Sequence, residues 1–441
     1  MMFLNEETKK YLKFYYEKIK EKQQSKMDSD TERSYLSNLP VEILQHIFKY
    51  FNLQDLCRIS QTCTRLHSIV DAELNRLFKM KKNFLPIVTN QIKHSIRERS
   101  SKIIEPIYEK LRISHNWRIG KYKEKVLLKT TITNMPWLHL EKKYLWVSQG
   151  CTITRYKRDS FGFDWLKKGP ELIQKDGDMC RFAIKDDLLL TGSSSGSISM
   201  WNLKDPKFSS IHGKNNHSSE VNTVDIGPYT LASGTRNHIL NMWPWPKLDS
   251  VNNSVIYPIG TYVLRDRIWS LKYNKSGSLA IGTGGIYETA LLIMDVQSEE
   301  LKLFGSGLMK PGAGILDMHW LDENCLFTCG YDSYVHLWDK RVGTYVTSWL
   351  EPHNSVLYCI QTDDLYTIMC GTQRHGKITL WDQRQRSSIQ MYYLSTYHKQ
   401  SSPVFSLAFD GTLLYGALDR SINVLDFSGR QNRIRNYSYF V

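Results

Sequence analysis

From Val126 to Phe427 the chain repeats one hydrophobic pattern: an apolar stretch, a turn rich in Gly, Ser and Thr, a second apolar stretch and a closing position. Successive closing positions lie 42 to 51 residues apart, and they are Tyr156, Trp201, Trp243, Met294, Trp338, Trp381 and Leu425. A period of about 44 residues in strand-sized pieces is typical of the blades of a β-propeller. The pattern therefore predicts a mainly β fold, a propeller with seven blades over residues 125–429.

The fifth repeat shows the strands of one blade most clearly. Residues 315–320 and 325–329 are apolar runs suited to β-strands, and a turn at 330–333 separates them from a third strand at 335–338. Residues 344–350 supply the fourth strand. A blade of this kind exposes an apolar face that only a neighbouring blade can cover, so the repeats are expected to close into a ring.

The place of closure can also be predicted from the apolar pattern. The seventh repeat ends at Phe427, whereas residues 126–132 form an apolar run with no repeat of their own upstream. We therefore predict that residues 126–132 form the outer strand of the last blade, hydrogen-bonded to the end of the chain.

Residues 35–79 carry a different, helical pattern. Apolar residues recur there at steps of three and four, Asn38 can cap a helix, and Pro40 suits a first turn. Roughly 45 residues are too few to bury all of these side chains without help. A partner protein is expected to cover part of the set Leu39, Pro40, Ile43, Leu44, Ile47, Phe48, Leu53 and Leu56. The alternative is an ordinary three-helix domain that packs on the propeller.

These two blocks resemble known families. Residues 36–78 resemble an F-box, and the repeats resemble WD40 repeats. In WD40 repeats an Asp, a His, a Ser or Thr and the closing Trp form a hydrogen-bonded set. No repeat of this chain carries the full set. The order of blocks resembles the substrate receptors of SCF ubiquitin ligases. Further similarity to the dactylin subfamily rests on Met135-Pro136-Trp137, residues 329–335, residues 357–363, residues 401–404 and residues 424–427. The resemblance implies a Skp-type adaptor, and through it a cullin and a RING subunit, as partners.

The net charge of +14 is concentrated between the two blocks. Residues 80–124 are predicted to form a basic helical spacer, with a helix that breaks or restarts near Pro106. Clustered basic charge attracts phosphate, so this segment is either an arm that binds nucleic acid or a solvated charged face. The solvated face is favoured because no aromatic platform for bases accompanies the charge. Residues 1–34 are predicted to be a charged helix or tail and residues 430–441 a basic tail.

Motifs of catalysis, metal binding or membrane insertion are missing from the sequence. There is no phosphate-binding lysine loop, no His-Glu-x-x-His, no Gly-x-Ser-x-Gly and no metal-ligand spacing, so no catalytic residue, metal or cofactor is predicted. No apolar run approaches 18 residues, and the eight cysteines are interpreted as small buried residues. We therefore expect a cytoplasmic or nuclear protein that is not an enzyme.

The predicted target-binding surface is the face of the ring formed by the loops into each first strand and by the turns between second and third strands. Its candidate residues are Arg181, Arg236, Arg267, Trp269, Tyr358, Arg374, Phe405 and Arg420. Converging guanidinium groups suit a phosphorylated or acidic segment of a target protein. Two alternatives stay open: the arginines are ordinary surface charges balanced by nearby acids, and the propeller is a scaffold that gathers partners without degradation.

Overall fold

The computed structural model describes residues 36–51, 53–80, 84–88, 98–100, 104, 107–158, 168–174, 176–205, 210–213, 217–246, 255–287, 290–305, 308–394 and 402–429. The predictions for residues 1–34 and 430–441 lie outside this range. The described residues fall into two compact units. The helical unit contains residues 36–84 and 107–111, and the propeller unit contains residues 85–104 and everything from Arg112 onward.

The helical unit holds a short 3₁₀ helix, Leu36–Asn38, followed by α1 (Val41–Phe48), α2 (Leu53–Ser60) and α3 (Thr64–Met80). Its core is apolar and its fully or nearly fully buried side chains are Leu44, Phe48, Leu56, Leu66, Val70 and Leu74. The predicted cap was wrong: Asn38 ends the 3₁₀ helix, and Pro40 occupies the cap position of α1 without a side-chain hydrogen bond. Arg65 of α3 donates to the Leu39 carbonyl oxygen at 2.9 Å, which ties α3 to the start of α1.

A second 3₁₀ helix, Pro86–Val88, precedes α4 (Ile107–Ile119), which begins directly after Pro106, as the sequence predicted. The part of the predicted spacer helix at residues 89–97 lies outside the described residues. The strands then follow in chain order: β1 (Lys123–Lys129); β2 (Leu138–Leu140), β3 (Tyr144–Gln149), β4 (Thr152–Lys157), β5 (Lys168–Ile173); β6 (Met179–Lys185), β7 (Leu188–Ser193), β8 (Ile198–Asn202), β9 (Ser210–Gly213); β10 (Val221–Ile226), β11 (Thr230–Thr235), β12 (Ile239–Pro244), β13 (Val255–Ile256), β14 (Gly260–Val263); β15 (Ile268–Tyr273), β16 (Ser278–Thr283), β17 (Leu291–Asp295), β18 (Glu300–Phe304); β19 (Ile315–Trp320), β20 (Cys325–Gly330), β21 (Tyr334–Asp339), β22 (Thr344–Leu350); β23 (Leu357–Thr362), β24 (Thr367–Thr372), β25 (Lys377–Asp382), β26 (Ser388–Tyr393); β27 (Ser406–Phe409), β28 (Leu413–Ala417) and β29 (Ser421–Asp426).

Within the described residues these strands form seven sheets, antiparallel except for one pair, and the sheets are the seven predicted blades. Blade 1 is β2 to β5, blade 2 is β6 to β9, blade 3 is β10, β11, β12 and β14, and blades 4, 5 and 6 follow in sets of four; blade 7 is β27, β28, β29 and β1. Blade 2 gains a fifth strand, because β13 pairs with β9 in parallel. Val255 and Ile256 thus cover the outer edge of the preceding blade.

The ring closes as the sequence predicted. Strand β1 pairs antiparallel with β29, from Lys123 opposite Asp426 to Lys129 opposite Ser421. The strand begins three residues earlier than its apolar run. A second connection joins blades 7 and 1, because the buried side chains of Arg158 and Asp410 form an ion pair.

The core of the propeller unit lies between neighbouring blades. Leu231 and Trp243 of blade 3, for example, pack with Leu188 and Met200 of blade 2. Equivalent clusters fill the contacts between blades 7 and 1, 1 and 2, 3 and 4, 4 and 5, and 5 and 6. Each blade therefore buries its apolar faces against its neighbours, which confirms the reason given for ring closure.

Hydrogen bonds inside the blades follow the degenerate pattern of the sequence. In blade 3, Ser233 Oγ lies 2.8 Å from His217 Nε2 and accepts from Trp243 Nε1 at 2.9 Å. The turn position is Asn237 instead of Asp, and Asn237 bonds to Ser218 and Thr235. His217 is thus a structural residue, and burial lowers its pKa to about 4.

The predicted burial of the cysteines holds only in part. Cys329, Cys359 and Cys370 are buried, whereas Cys63 and Cys151 are exposed. Burial raises the pKa of the Cys329 and Cys359 thiols well above the ordinary value. The three buried thiols are therefore protonated and behave as small apolar residues.

Candidate functional site

The predicted binding loops do lie together on one face of the ring. In five blades the turn after the second strand is hydrogen-bonded to the loop that leads into the first strand. The amides of Ser194, Arg236, Gly284, Tyr331 and Gln373 donate to the carbonyl oxygens of Asp178, Glu220, Arg267, Gly314 and Val356, respectively, at 2.8 to 3.1 Å. We call this side of the ring the upper face.

Aromatic residues of four successive blades lie on the upper face. Blade 4 supplies Trp269, the turn of blade 5 supplies Tyr331, blade 6 supplies Tyr358, and the residue before the first strand of blade 7 is Phe405. The rings of Tyr358 and Phe405 lie 6.1 Å apart, and Tyr331 has 41% of its surface exposed. Together with Arg267, these four residues form what we call the rim cluster.

Arg267 is the cation of the rim cluster. Its guanidinium carbon lies 5.7 Å from the centre of the Trp269 ring, and its Nε atom lies 3.9 Å from Asp266. Burial and the neighbouring Tyr358 raise the pKa of Tyr331, while Arg267 lowers it. Arg267 and Tyr358 therefore both lie within electrostatic range of Tyr331.

Arg181 does not project from the upper face but crosses the channel. It stands on blade 2, yet it contacts blade 5, with Nη1 3.2 Å from Asp317 Oδ1 and Nη2 2.6 Å from the Leu316 carbonyl oxygen. Its guanidinium carbon lies 4.3 Å from the ring centre of Trp137 in the loop into blade 1. The Arg181 side chain therefore spans the channel just below the upper face, and its charge is paired with that of Asp317.

The other predicted arginines are spread around the ring. Arg236 of blade 3 is exposed and lies 3.8 Å from Glu220, and Arg374 and Arg420 are exposed in blades 6 and 7. The structure thus brings Arg267, Trp269, Tyr358 and Phe405 into one arc and places Arg236 in an ion pair of its own. It adds Trp137 and Tyr331, which are not among the residues predicted from the sequence. The available signals were the position of Trp137 directly before a first strand and that of Tyr331 in the turn after a second strand.

At its other end the channel is occupied by Arg99, a residue of the predicted spacer. Arg99 donates from Nη1 to Gln361 Oε1 at 3.1 Å and from Nη2 to the Thr362 carbonyl oxygen at 2.7 Å, and its guanidinium carbon lies 5.1 Å from the Phe409 ring centre. Burial lowers its pKa despite the nearby carboxylates of Asp364 and Asp363. The Arg158 side chain in turn donates to the Arg99 carbonyl oxygen at 2.6 Å.

Between Arg181 and Arg99 the channel encloses a cavity of about 350 Å³. Charged side chains line it in pairs. Lys272 lies 3.2 Å from Asp225, and His319 lies 2.6 Å from Asp364. Burial, together with the nearby charges of Lys272 and Arg99, lowers the pKa of His139 to about 4, so this residue is neutral. Two of its basic side chains thus lie beside carboxylates, and Glu98 and Glu141 also line the cavity.

The end of α4 is also part of the propeller unit. Trp117 stacks on Phe427 with ring centres 3.7 Å apart and donates from its indole nitrogen to the Gly411 carbonyl oxygen at 3.1 Å. Asn116 donates to the Phe427 carbonyl oxygen at 2.8 Å, and Arg112 donates to that of Ser428 at 2.9 Å. These residues of the predicted spacer are structural components of the base of blade 7.

The predicted adaptor-binding residues divide into buried and accessible groups. Leu44, Ile47, Phe48 and Leu56 are buried in the helical unit itself, and the Leu53 side chain lies outside the described residues. Pro40 is exposed, and Leu39 and Ile43 are half-buried. Leu36 and Val41 are each 39% exposed beside them. The accessible apolar residues thus cluster in sequence at residues 36–43, where α1 begins.

Two features are absent from the described part of the chain. Nowhere in it do three or more His, Cys, Asp or Glu side chains come together as metal ligands would. None of its helices combines the length and the apolar character needed to span a bilayer.

Comparison with known proteins assigns both units. A family model described as "F-box-like" matches residues 36–78, which contain α1 to α3, and one described as "WD domain, G-beta repeat" matches residues 309–339 in blade 5. The propeller also matches the solved "Crystal structure of RRP9 WD40 repeats" with a TM-score of 0.55 over 69% of this chain and 97% of that chain. At 14% identity this match shows the fold alone.

An F-box-like segment ahead of a WD-repeat propeller defines the class of F-box proteins that carry WD repeats. Two full-length relatives narrow this assignment. The chain is 30% identical over 403 residues to "F-box/WD repeat-containing protein 4" of Mus musculus, and 31% identical over 405 residues to the protein of the same name in Homo sapiens. Both alignments cover 89% of this chain and 93% of the relative. The chain belongs to the F-box/WD repeat-containing protein family.

Proposed function

We propose that this protein is the substrate-recognition subunit of an SCF-type ubiquitin ligase. In this proposal the helical unit binds a Skp-type adaptor, and through it a cullin and a RING subunit, while the upper face of the propeller binds the target protein. The chain itself has no catalytic residue in this mechanism. Its contribution is to hold the target close to the ubiquitin-transfer machinery, which raises the effective concentration of the reactants.

The observation that carries the proposal is the pairing of an F-box-like helical unit with a separate aromatic surface. Leu36, Leu39, Pro40, Val41 and Ile43 leave apolar surface accessible at the start of α1. Apolar groups of this kind on a small domain mark a site of protein association. The rim cluster offers the aromatic and arginine side chains that dominate binding energy at protein interfaces.

Co-purification tests the adaptor half of the proposal. The variant in which Leu39, Pro40 and Ile43 are all replaced by Ala should lose a Skp-type adaptor and cullin, because accessible contact surface is removed while the buried core formed by Leu44 and Phe48 stays intact. Gln61→Ala, an exposed change on the same unit, is the matched control and should retain both partners. If the triple variant captures adaptor and cullin as well as the control does, this role for the helical unit is wrong.

The same experiment separates the receptor from a scaffold that does not lead to degradation. A scaffold would bring down other proteins through the propeller but neither adaptor nor cullin, whatever residues occupy the start of α1. The nucleic-acid alternative is weakened by the engagement of Arg99 and Arg112 with propeller carbonyl groups. The proposal also places the protein in the cytoplasm or nucleus, where the cysteines stay reduced.

A further inference from the structure

The rim cluster contains one cation whose hydrogen-bonding capacity is unused. Asp266, the nearest carboxylate to Arg267, is 7% exposed and both of its oxygens already accept backbone amides, those of Arg267 at 2.7 Å and Ile286 at 2.9 Å. Among the described residues, no hydrogen bond engages the terminal nitrogens of Arg267. Its side chain is 37% exposed, so a ligand on the upper face can reach the guanidinium.

Arg181 is the opposite case. It is 17% exposed, pairs with Asp317, donates to a backbone carbonyl and stacks on Trp137. Arg236 is paired with Glu220 on a different blade from Arg267. Arg374 and Arg420 are exposed on blades 6 and 7, outside the rim cluster, so the rim cluster itself presents one guanidinium and not the converging set that a doubly charged phosphate group favours.

The surroundings of Arg267 are apolar. Trp269, Tyr358 and Phe405 are partly exposed, and the neighbouring turn of blade 4 adds Ile286 and Tyr287, which are 49% and 59% exposed. Accessible aromatic surface of this kind gains most from burying an aromatic or long aliphatic side chain. Because Arg181 spans the channel below the upper face, a peptide segment bound there is expected to lie across the opening of the channel and not to pass through it.

We propose that the rim cluster binds a short, unphosphorylated segment of the target in which an aromatic or long aliphatic side chain stands beside a single Asp or Glu. The carboxylate pairs with the two terminal nitrogens of Arg267, and the apolar side chain packs against Trp269, Tyr331, Tyr358 and Phe405. This inference rests on the proposed function, since it names the kind of target segment that the receptor recognises.

Pools of capped hexapeptides provide the test, because capping removes the terminal charges. Three pools fix a central Leu, Phe or Tyr, followed by Asp in the first pool, Asn in the second and phosphoserine in the third, with all other positions mixed. Each pool is passed over the immobilised full-length protein in complex with its adaptor, and the retained peptides are quantified by mass spectrometry. Retention of the Asp pool should exceed that of the Asn pool about tenfold, the value expected for one charge-assisted bidentate contact.

Variants assign that preference to Arg267. Arg267→Gln should reduce the ratio of Asp to Asn retention to about one, and Arg267→Lys, which keeps the charge but loses the fork, should retain part of it. Arg236→Gln, a matched loss of one cation on the same face, should leave the ratio unchanged. Tyr358→Ala should lower retention of both pools. Melting temperatures of all variants confirm that the fold is intact.

Several results would overturn the inference: equal retention of the Asp and Asn pools, stronger retention of the phosphoserine pool, no retention of any pool, or a preference for Asp that survives Arg267→Gln. Failure of the receptor role is recognised separately, because it appears as loss of adaptor and cullin from the purified complex. A retained peptide preference without the adaptor would support the rim cluster as a binding site on a scaffold.

Discussion

The ion pair between Arg158 and Asp410 gives a sharp test of how the ring is held closed. Arg158 follows the third strand of blade 1, Asp410 lies in the first turn of blade 7, and their side chains are 0% and 2% exposed. Arg158→Met removes the guanidinium and keeps an apolar stem of similar length. Asp410 would then remain as a buried carboxylate without its cation.

Removing one partner of a buried ion pair costs about 3–5 kcal/mol. Arg158 also donates to the carbonyl oxygens of Glu141, at 2.7 Å, and Arg99, at 2.6 Å, and these acceptors lose a partner at about 1 kcal/mol each. We therefore expect Arg158→Met to lower the free energy of unfolding by about 5–7 kcal/mol. The Arg99 segment should also become more accessible to protease.

Urea unfolding followed by tryptophan fluorescence measures the effect in a double-mutant cycle. Asp410→Asn keeps an oxygen that can accept from the amides of Thr412 and Leu413. The double variant carries no charge at either position, so it leaves no unpaired charge buried. Its destabilisation should fall short of the sum of the two single changes by about 2 kcal/mol. Lys142→Met, an exposed change in the neighbouring turn, should alter stability by less than about 0.5 kcal/mol. Additive single changes would refute the pairing argument.

Three further predictions concern the propeller unit. Leu127→Ala in the closing strand should lower the free energy of unfolding by about 2–4 kcal/mol, because Leu127 is 5% exposed in the core between blades 7 and 1. Lys123→Ala, an exposed change in the same strand, should lower it little. Thermal unfolding compares the two variants, and equal melting temperatures would contradict the closure. Burial lowers the folded-state pKa of His217 to about 4, so its contribution to stability should fall by up to about 3 kcal/mol as the pH drops from 6.5 to 4; His217→Gln should remove that contribution and leave the one from buried His139, whereas exposed His115→Gln should leave the profile unchanged. Burial raises the pKa of Asp363 to about 6, so its contribution has the opposite sign, and stability should be lost as the pH rises from about 4 to 6. Asp363→Asn should abolish that loss. A pH profile of unfolding that Asp363→Asn leaves unchanged would exclude this role of Asp363.

Local pattern was sufficient to predict most of the propeller. The fourth strand of blade 5 was predicted at residues 344–350 and is observed there, and α4 begins directly after Pro106. Pairing of β1 with β29 followed from an apolar run without a repeat of its own. In each case the signal lies within a few residues of the element, because strand alternation, turns and proline act locally.

Side-chain partners that lie across the ring were not predictable in this way. Arg181 contacts Asp317 at a separation of 136 residues, and Arg99 contacts Gln361 at a separation of 262 residues. Nothing in the sequence near either arginine distinguishes it from a solvated surface charge. The partner of Arg181 is set by ring closure, and the partner of Arg99 is set by the position of the spacer against the channel. The parallel strand β13 was missed for a similar reason, since two residues carry too little periodicity to indicate a strand.

In the helical unit the sequence predicted which residues are apolar but not how they divide between the core and a partner surface. Leu44 and Phe48 fill the core, while Pro40 is exposed although it belongs to the same apolar run. This division depends on how α3 packs on α1, and Arg65, which contributes to that contact through the Leu39 carbonyl oxygen, lies 26 residues away.

The stacking of Trp117 on Phe427 has a practical consequence for studying the propeller separately. A fragment cut where the repeats begin would strip the indole ring from Phe427, remove the donor to the Gly411 carbonyl oxygen and leave an apolar hollow open to water. Aggregation of such a fragment would reflect the choice of its first residue, not an inability of seven blades to fold. A working boundary has to lie upstream of Leu85, whose backbone amide is bound by the Ser114 hydroxyl of α4.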